Sequence, residues 1–556
     1  MKRFAALLVS CALLCQSLSG CGAREEAPAQ SLSQTENIVV EGTQIRLSDD
    51  GITVDGAAIS TSDTDGVYAA NDIVFYPEGQ DFTFGEGTEA DAHSQPEADA
   101  HTVVHITQPG TYVFSGCLSA GQVAVDLGDE SEEDPEAVVT LVLNGVDIAC
   151  SVAPAVIFYN VYECGSANTE TASETVDTTA AGANVIIADG TENNITGSYV
   201  ARIYKPDSVE LNEDGTEVLD ARKLHKYDAA FYSKRTMNVN SGGAGTGVLN
   251  IVAENEGLDS ELHLTINGGN INITSGNDGI NTNEDNVSVT TINGGNVNIV
   301  VNGSTGEGDG IDSNGWLVIN GGSVTAAGCA FSGDAGIDSD MGIHINGGTV
   351  MASGHMLDRL EDGGQNYAVF TFSDTQPGGS TYVLKNAAGE TVTACMPVND
   401  FSILVVSSPD LAEGEYTFWQ DDAQLAAAFG MGGGMMGGRF PGGMMQGEAP
   451  PELPEGMENM MAPEGMEFSE GMKRPERPEG MELPGEMERP EGGRGGFTPN
   501  EDGTITLPDG TTIDPSQLQR PESGRGGDWT QGGGEPSSAF NVVDGSNYFS
   551  GVAAVS

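Results

Sequence analysis

GLDSELHLTINGGN, at residues 257–270, returns with few changes as GIDSNGWLVINGGS at 310–323 and as GIDSDMGIHINGGT at 336–349. The tripeptide Asn-Gly-Gly within it recurs at spacings of 26, 27 and 26 residues, beginning at Asn267, Asn293, Asn320 and Asn346. A fixed period in this range is typical of a solenoid, in which each repeat buries its apolar side chains against the next.

Within each repeat, apolar and polar residues alternate with a period of two, which predicts β-strands. Leu264 and Ile266 alternate before the turn, Ile271 and Ile273 alternate after it, and a third short strand is predicted at the Gly-Ile-Asp-Ser stretch. Turns this short would also fit hairpins. Like residues at like positions favour instead a parallel β-helix with about 26 residues per coil, coils about 4.8 Å apart and stacked, hydrogen-bonded Asn amides.

The repeat also indicates the domain organisation, because a solenoid needs a cap at each open end. A Met/Pro/Gly/Glu-rich stretch near the C-terminus cannot bury a core and is predicted to be disordered. We predict a signal peptide at 1–20, a tether at 21–36, a β-rich N-terminal cap at 37–100, the parallel β-helix at 101–356, an antiparallel β cap at 357–428, the disordered region at 429–536 and returning strands at 537–556.

The N-terminus has the pattern of an export signal. Lys2 and Arg3 precede an apolar run at residues 4–14 that is too short to span a bilayer. The following Leu18-Ser19-Gly20-Cys21 resembles the lipobox of bacterial lipoproteins, which implies cleavage before Cys21 and lipidation of its sulfur. We therefore predict an exported protein that is lipid-anchored at the cell membrane or cell surface. An ordinary signal peptide with a chance cysteine is the alternative.

The charge of the chain excludes several classes of partner. The sequence has 83 Asp and Glu against 21 Lys and Arg, a net charge of −62. This argues against nucleic acid and against docking on anionic lipid by charge, since both need clustered basic residues. Such acidity suits an extracellular protein that meets cations or polysaccharide.

The cysteines beyond the signal are odd in number and widely spaced, with no Cys-x-x-Cys pair: Cys117, Cys150, Cys164, Cys329 and Cys395. This pattern indicates neither a zinc site nor a dense disulfide framework. A Cys150–Cys164 pair remains open, and buried small side chains are the favoured interpretation.

The turns before the third strands are rich in oxygen ligands, which predicts a Ca²⁺ site, because Ca²⁺ takes six to eight oxygens. In stacked coils Asp259, Asn281, Asp312 and Asp338 would form one column. The alternative is that Asp-Gly and Asn-Gly simply make turns. The candidate ligands are Glu256, Asp259, Asp278, Asn281, Asp309, Asp312, Asp334, Asp338 and Asp340.

Outward positions of the repeats are candidates for binding sugar. The Trp316 ring is predicted to face solvent, where it stacks on a pyranose, and the alternative is that it packs under a loop. Beside its column, Thr265, Thr291, Val318 and His344 are predicted to face outward as well. The candidate carbohydrate-binding residues are His263, Trp316, Asn270, Asn296 and His344.

The chain resembles a known bacterial family. HITQPGTYVFSG at 105–116, VTLVLNGVDIA at 139–149, ADGTENNITG at 188–197 and the repeats follow the order seen in bacterial carbohydrate-binding-domain lipoproteins. The resemblance implies a right-handed parallel β-helix that binds cellulose or pectin-like acidic glycans with Ca²⁺, on a fold shared with pectate lyases. Insertions at 129–136, 166–182 and 429–536 depart from the family pattern.

Binding without catalysis is the favoured function, and we expect a monomer. Residues 236–358 contain 14 acidic residues and no Lys or Arg, so they lack the strong base that uronan lyases use. Basic residues cluster just upstream, where ordinary solvated charge is the favoured interpretation: Arg222, Lys223, Lys226, Lys234 and Arg235. A polysaccharide lyase or glycoside hydrolase on the same fold, and a structural adhesin, remain the alternatives.

Overall fold

The repeats form parallel β-ladders, in which each strand pairs with the equivalent strand of the next repeat. A computed structural model describes residues 41–212, 214–430, 498–499, 505–506, 512–513, 536–545 and 547–555. The predicted signal peptide, Cys21 and the tether lie outside these residues, as does most of the segment predicted to be disordered. Strands are numbered in chain order.

The first ladder includes the four strands that precede the Asn-Gly-Gly turns. Its members are β6 (Gly110–Leu118), β8 (Val139–Ala149), β10 (Ala183–Ile187), β15 (Met237–Ser241), β18 (His263–Ile266), β21 (Val289–Ile292), β23 (Trp316–Ile319) and β25 (Gly342–Ile345). The second ladder follows the turns and begins in the second half of β8. It continues through β11 (Glu192–Gly197), β16 (Val248–Ala253), β19 (Asn270–Ser275), β22 (Asn296–Val301), β24 (Ser323–Ala327) and β26 (Thr349–Gly354).

The third ladder ends with the strands at the first two Gly-Leu/Ile-Asp/Asn-Ser/Thr stretches, β17 (Glu256–Ser260) and β20 (Ile280–Thr282). Its members are β5 (Thr102–Ile106), β7 (Gly121–Asp126), β9 (Val156–Asn160), β14 (Ala229–Ser233), β17 and β20. The strands of the repeats therefore form three parallel ladders, and through most of the region each repeat contributes one strand to each ladder.

The register of the ladders is the register of the sequence repeat. His263 pairs with Val289, Val289 with Trp316, and Trp316 with Gly342. Alternate side chains point into one continuous core, where burying each Leu, Ile or Val stabilises the fold by roughly 1.5–3 kcal/mol. Fully buried examples from the two ladders beside the turns are Leu264, Ile271, Leu317, Val324 and Ile343.

The Asn-Gly-Gly turns stack as the sequence predicts. Asn293 donates a side-chain hydrogen bond to Asn267 at 2.8 Å, and Asn320 donates one to Asn293 at 2.9 Å. The second glycine of each turn is required by its backbone, since Gly295 has a φ of +87°. A Cβ there would also lie 2.5 Å from the carbonyl oxygen of Gly269 in the turn below.

Both ends of the ladders meet other strands. At the N-terminal end, β1 (Thr43–Leu47) pairs in parallel with β6 and carries β2 (Thr53–Val54) and β3 (Ala57–Ala58), while β4 (Val67–Ala70) pairs antiparallel with β5. At the other end, an antiparallel unit begins where β30 (Phe401–Ser407) pairs with β26. Its strands are β27 (Tyr367–Gln376), β28 (Tyr382–Asn386), β29 (Thr391–Cys395), β30, β31 (Gly414–Gln420), β32 (Ala423–Phe429), β36 (Phe540–Val542) and β37 (Tyr548–Ala554).

The final strands return to this C-terminal unit. Strand β36 pairs with β31, and β37 lies between β27 and β32. They complete a second, aromatic-rich core in which the Phe370 ring stacks on Phe418 with ring centroids 3.9 Å apart.

The remaining elements are short. They are α1 (Gln95–Asp99), a 3₁₀ turn at Asp129–Glu133, the hairpin strands β12 (Glu210–Leu211) and β13 (Val218–Asp220), and β33 (Thr498–Pro499), β34 (Ile505–Thr506) and β35 (Thr512–Ile513) inside the segment predicted to be disordered. Over the described residues the fold is thus all-β with large sheets, and no helix among them has the length and apolarity needed to cross a bilayer.

Candidate functional site

A column of oxygen-bearing side chains follows the third ladder. Asp259 pairs with Asn281 across β17 and β20. The ladder is extended by the backbone of the next two repeats, where Asp312 N–H donates to the Ile280 carbonyl at 2.8 Å and Asp338 N–H donates to the Ile311 carbonyl at 2.7 Å. The four residues predicted to form one column therefore occupy successive repeats in the third ladder.

Three carboxylates of this region converge. Asp309, Asp312 and Asp338 each offer one oxygen within 4.8 Å of the other two. Burial, and then the nearby Asp340, raises the pKa of Asp312 to about 7. Burial, and then Asp358, raises the pKa of Asp338 to about 9. Like charges this close in a partly dehydrated site favour either a proton or a bound cation.

Several oxygens in the column accept no hydrogen bond from the described part of the chain. They are Asp259 Oδ2, Asn281 Oδ1 and Asp338 Oδ1, all of them buried. The other oxygen of Asp259 accepts a hydrogen bond from Asn283 Nδ2 at 2.7 Å. Burial, and then Glu256, raises the pKa of Asp259 well above its ordinary value. Buried polar atoms are nearly always paired, so these oxygens indicate a site for an ion or for water.

Other predicted ligands also hold the turns together. Asp278 Oδ1 accepts from Asp309 N–H at 2.7 Å, and Asp334 Oδ2 accepts from Gly308 N–H at 2.6 Å. Each of these bonds joins one repeat to its neighbour, so these two carboxylates bind backbone N–H groups as well as being candidate ligands. Glu256 is buried at 3% exposure beside the column, and Asp340 is exposed.

A long polar groove runs across the first ladder and its turns. Its volume is about 510 Å³. One wall is the segment 174–179, which is fixed at one end because Thr178 Oγ1 donates to Thr265 Oγ1 at 2.8 Å and Asn238 Nδ2 donates to the Thr178 carbonyl at 2.8 Å. The repeats supply the other wall through Thr265, Thr291, Val318, His344, Asn267, Asn293, Asn320 and Asn346. Of the side chains predicted to face outward here, Thr291 and His344 are partly exposed, whereas Thr265 and Val318 are buried at 5% and 7% exposure.

The predicted carbohydrate-binding residues are not brought together in this groove. His344 lines it, but Asn270 and Asn296 lie on the second ladder, where Asn296 Nδ2 donates to Asn270 Oδ1 at 2.7 Å. Trp316 is partly exposed and lies in register with the buried Val289.

The prediction that His263 faces solvent is wrong. Its side chain is only 3% exposed, and Nδ1 accepts a hydrogen bond from Val289 N–H at 3.1 Å. It is covered because the chain around Gly165 packs directly against the ring. Burial lowers the pKa of His263 to about 4, so the imidazole is neutral near pH 7.

Sequence reasoning missed the second wall of the groove and the participation of the turn asparagines. The insertion at 166–182 was visible in the sequence as a departure from the family pattern. Its position over the first ladder is set by long-range contacts such as Thr178 with Thr265, 87 residues apart, and no local pattern predicts these. The five cysteines from Cys117 to Cys395 are all free, so Cys150 and Cys164 are not paired.

Comparisons with known proteins found the following similarities. Residues 100–355 match the family model described as "Carbohydrate-binding domain-containing protein". A protein of the same description from Acetivibrio thermocellus is 29% identical over 171 residues, which are 31% of this chain and 44% of that protein. The match therefore spans less than half the length of that relative. A solved structure of the polysaccharide lyase-like protein from C. thermocellum, a gadolinium derivative, is similar with a TM-score of 0.30 and 19% identity, over 55% of this chain and 93% of that chain.

Proposed function

We propose that this chain is an exported, lipid-anchored protein that binds polysaccharide on a right-handed parallel β-helix, with Ca²⁺ bound in its turns and without catalysis. The observation that carries the proposal is the polar groove over the first ladder, whose Thr and Asn side chains recur in register. The match of residues 100–355 to a carbohydrate-binding domain family supports the same function.

The groove suits a linear polysaccharide because both have a repeating pattern. Side chains from successive strands are spaced by about 4.8 Å, and each repeat offers an amide or a hydroxyl that both donates and accepts hydrogen bonds. Such groups match the hydroxyls of consecutive sugars along a chain. With walls formed by a fixed segment and a rigid ladder, the site is largely preformed, which lowers the entropy lost on binding.

The acidic column fits Ca²⁺. Its donors are carboxylate and amide oxygens, the ligands that Ca²⁺ prefers, and buried oxygens of Asp259, Asn281 and Asp338 lack hydrogen-bond partners among the described residues. Asp309, Asp312 and Asp338 would hold one ion, and the Asp259–Asn281 part of the column is a second candidate. A bound cation there would stabilise neighbouring repeats by screening the repulsion between their carboxylates.

Sugar binding is tested by removing one groove asparagine and comparing it with a ladder asparagine outside the groove. We expect Asn293→Ala to weaken binding of a cello-oligosaccharide about tenfold, since one good hydrogen bond contributes roughly 1–1.5 kcal/mol. Asn272→Ala is the matched control, because Asn272 donates to Asn250 at 2.9 Å and accepts from Asn298 at 3.0 Å, two bonds like those of Asn293, but does not line the groove. Isothermal titration calorimetry measures both, and thermal melting verifies that both variants fold.

Equal losses in the two variants would remove the groove from the proposal. New reducing ends, or an unsaturated product absorbing in the ultraviolet, on prolonged incubation with glycans would overturn the non-catalytic part and favour the lyase or hydrolase alternative.

A further inference from the structure

The basic residues of the repeat region are concentrated in one place. Residues 101–356 contain seven Lys and Arg, and all of them lie between Arg202 and Arg235. Four of the seven line a single cleft of about 430 Å³ at the end of β14 and the segment before it: Lys223, Lys226, Lys234 and Arg235. A chain with a net charge of −62 thus places cations together where they face a cavity.

The cleft has a rigid aromatic wall. The His225 ring stacks on Tyr227 with centroids 4.3 Å apart, and Tyr227 meets Tyr159 and Tyr232 edge to face. Tyr232 Oη donates to Glu261 Oε1 at 2.8 Å, which fixes a carboxylate on the same side. Leu224 and Leu262 complete the lining with apolar surface.

The positive charges in the cleft are only partly neutralised by the protein. Arg235 pairs with Glu132, and Lys223 pairs with Glu86 at 2.6 Å. Lys226 Nζ lies 3.8 Å from Glu261 Oε2, which is a loose contact. Lys234 is exposed and has no ion-pair partner in the described part of the chain. Two cations are therefore available to an incoming anion.

Buried polar atoms in the wall are also unpaired. Both ring nitrogens of His225, whose side chain is 7% exposed, and Nε of Arg235 have no hydrogen-bond partner among the described residues. Unpaired buried groups are rare in folded proteins. Together with Lys234 and the loosely paired Lys226, they indicate a cleft that is completed by a ligand.

We propose that this cleft binds an anionic sugar residue of a polysaccharide, with its carboxylate held by Lys226 and Lys234 and without a bridging metal ion. The inference rests on the proposed polysaccharide-binding function and adds a second site, separate from the Asn and Thr groove. The lining carries four cations and four carboxylates, Glu132, Glu163, Glu261 and Glu284. Such a mixed lining suits a sugar with one carboxylate, which faces Lys226 and Lys234, and several hydroxyls, which face the carboxylates, better than a more highly charged ligand. The carboxylates accept hydrogen bonds from the sugar hydroxyls, and the aromatic wall packs against the sugar ring.

The test is titration of tri-galacturonate in EDTA, which removes any metal bridge. We expect the double variant Lys226→Gln/Lys234→Gln to lose at least tenfold in affinity, and binding by the unaltered chain to weaken with added salt. Lys385→Gln is the matched control, because Lys385 lies over the Trp419 ring in the C-terminal unit and does not line the cleft. Restoring charge with Lys226→Arg/Lys234→Arg is expected to recover most of the affinity.

Unchanged tri-galacturonate affinity in the double glutamine variant, or equal binding of the methyl-esterified trisaccharide, would overturn the inference. Tighter binding of a sulfated trisaccharide would overturn the assignment to a carboxylate. Binding of cello-oligosaccharide is the internal reference: if it persists while tri-galacturonate fails to bind in EDTA, this inference alone fails. If no glycan binds at all, the proposed function fails.

Discussion

At the scale of single residues, the acidic column is the least ordinary feature of the chain. Aspartates are normally ionised at neutral pH, yet burial and neighbouring charges raise the pKa of Asp312 to about 7 and that of Asp338 to about 9. In the absence of metal, ionising them places like charges together in a partly buried site. The ionisation of these aspartates therefore couples proton binding and cation binding to the stability of the folded protein.

The metal-free protein is expected to lose stability as the pH rises from 5 to 9. The folded-state pKa of both aspartates lies above the unfolded value near 3.9, so the folded state binds more protons between those values and the free energy of unfolding falls with pH. In EDTA, the melting temperature should be lower at pH 9 than at pH 5. Added Ca²⁺ should raise it more at pH 9, where the carboxylates are ionised.

Substitutions of single aspartates distinguish this pH-dependent loss of stability from the effect of the chain's overall negative charge. Asp338→Asn should raise the melting temperature at pH 9 in EDTA, because it removes one member of the repelling group, and should reduce the stabilisation by Ca²⁺. The control Asp147→Asn, an exposed position on β8, should alter neither. Identical calcium stabilisation in Asp338→Asn and the parent chain would exclude this cluster as the ion's site.

At the scale of elements, the strands at the very end of the chain complete the C-terminal unit. Strand β37 lies between β27 and β32, more than 100 residues away in sequence. Its Phe549 is 1% exposed and packs on Phe540 with ring centroids 4.2 Å apart. The second core is therefore built from two separated segments, and it does not close until the last strand is added.

Truncating the Phe549 side chain is expected to destabilise the C-terminal unit. Phe549→Ala should reduce the free energy of unfolding by roughly 3–5 kcal/mol, the usual range for a buried Phe. Phe331→Ala, at a position 60% exposed, should change it by less than about 0.5 kcal/mol. Urea unfolding followed by tryptophan fluorescence measures both, and a Phe549→Ala value close to that of Phe331→Ala would show that β37 contributes little.

At the scale of the whole molecule, charge and the proposed anchor act together. A chain with a net charge of −62 is repelled by anionic lipid, so charge does not hold it at a membrane. Lipid attached to Cys21 would, because each buried methylene contributes about 0.8 kcal/mol.

The anchor predicts where the protein is found in cells. Cys21→Ala should move the chain from the membrane fraction to the soluble fraction, while a high-salt wash should leave the parent chain on the membrane. Fractionation and immunoblotting measure both. Cys117→Ala is the control, since Cys117 is an exposed free cysteine within the described residues; a Cys21→Ala variant that still sediments with membranes would contradict lipid anchoring.

The sequence by itself determined the parts of this protein that depend on local spacing. Because side chains alternate along a strand, the repeat specifies which residues enter the core, and its period places Asn293 over Asn267 and Asp259 beside Asn281. The stacking of the Asn-Gly-Gly turns and the alignment of the candidate calcium ligands follow from the same repeat period.

Only the tertiary structure decided what covers the repeats. His263 occupies an outward position by its spacing, but the chain near Gly165 buries it. The segment 174–179 turns an exposed face into a groove. The second cleft likewise joins Glu132 and Glu163 to Lys234 and Glu284, which a linear pattern treats as unrelated. The physical reason is that periodicity fixes contacts between neighbouring repeats, whereas the position of an insertion depends on contacts that form only after the whole chain has folded.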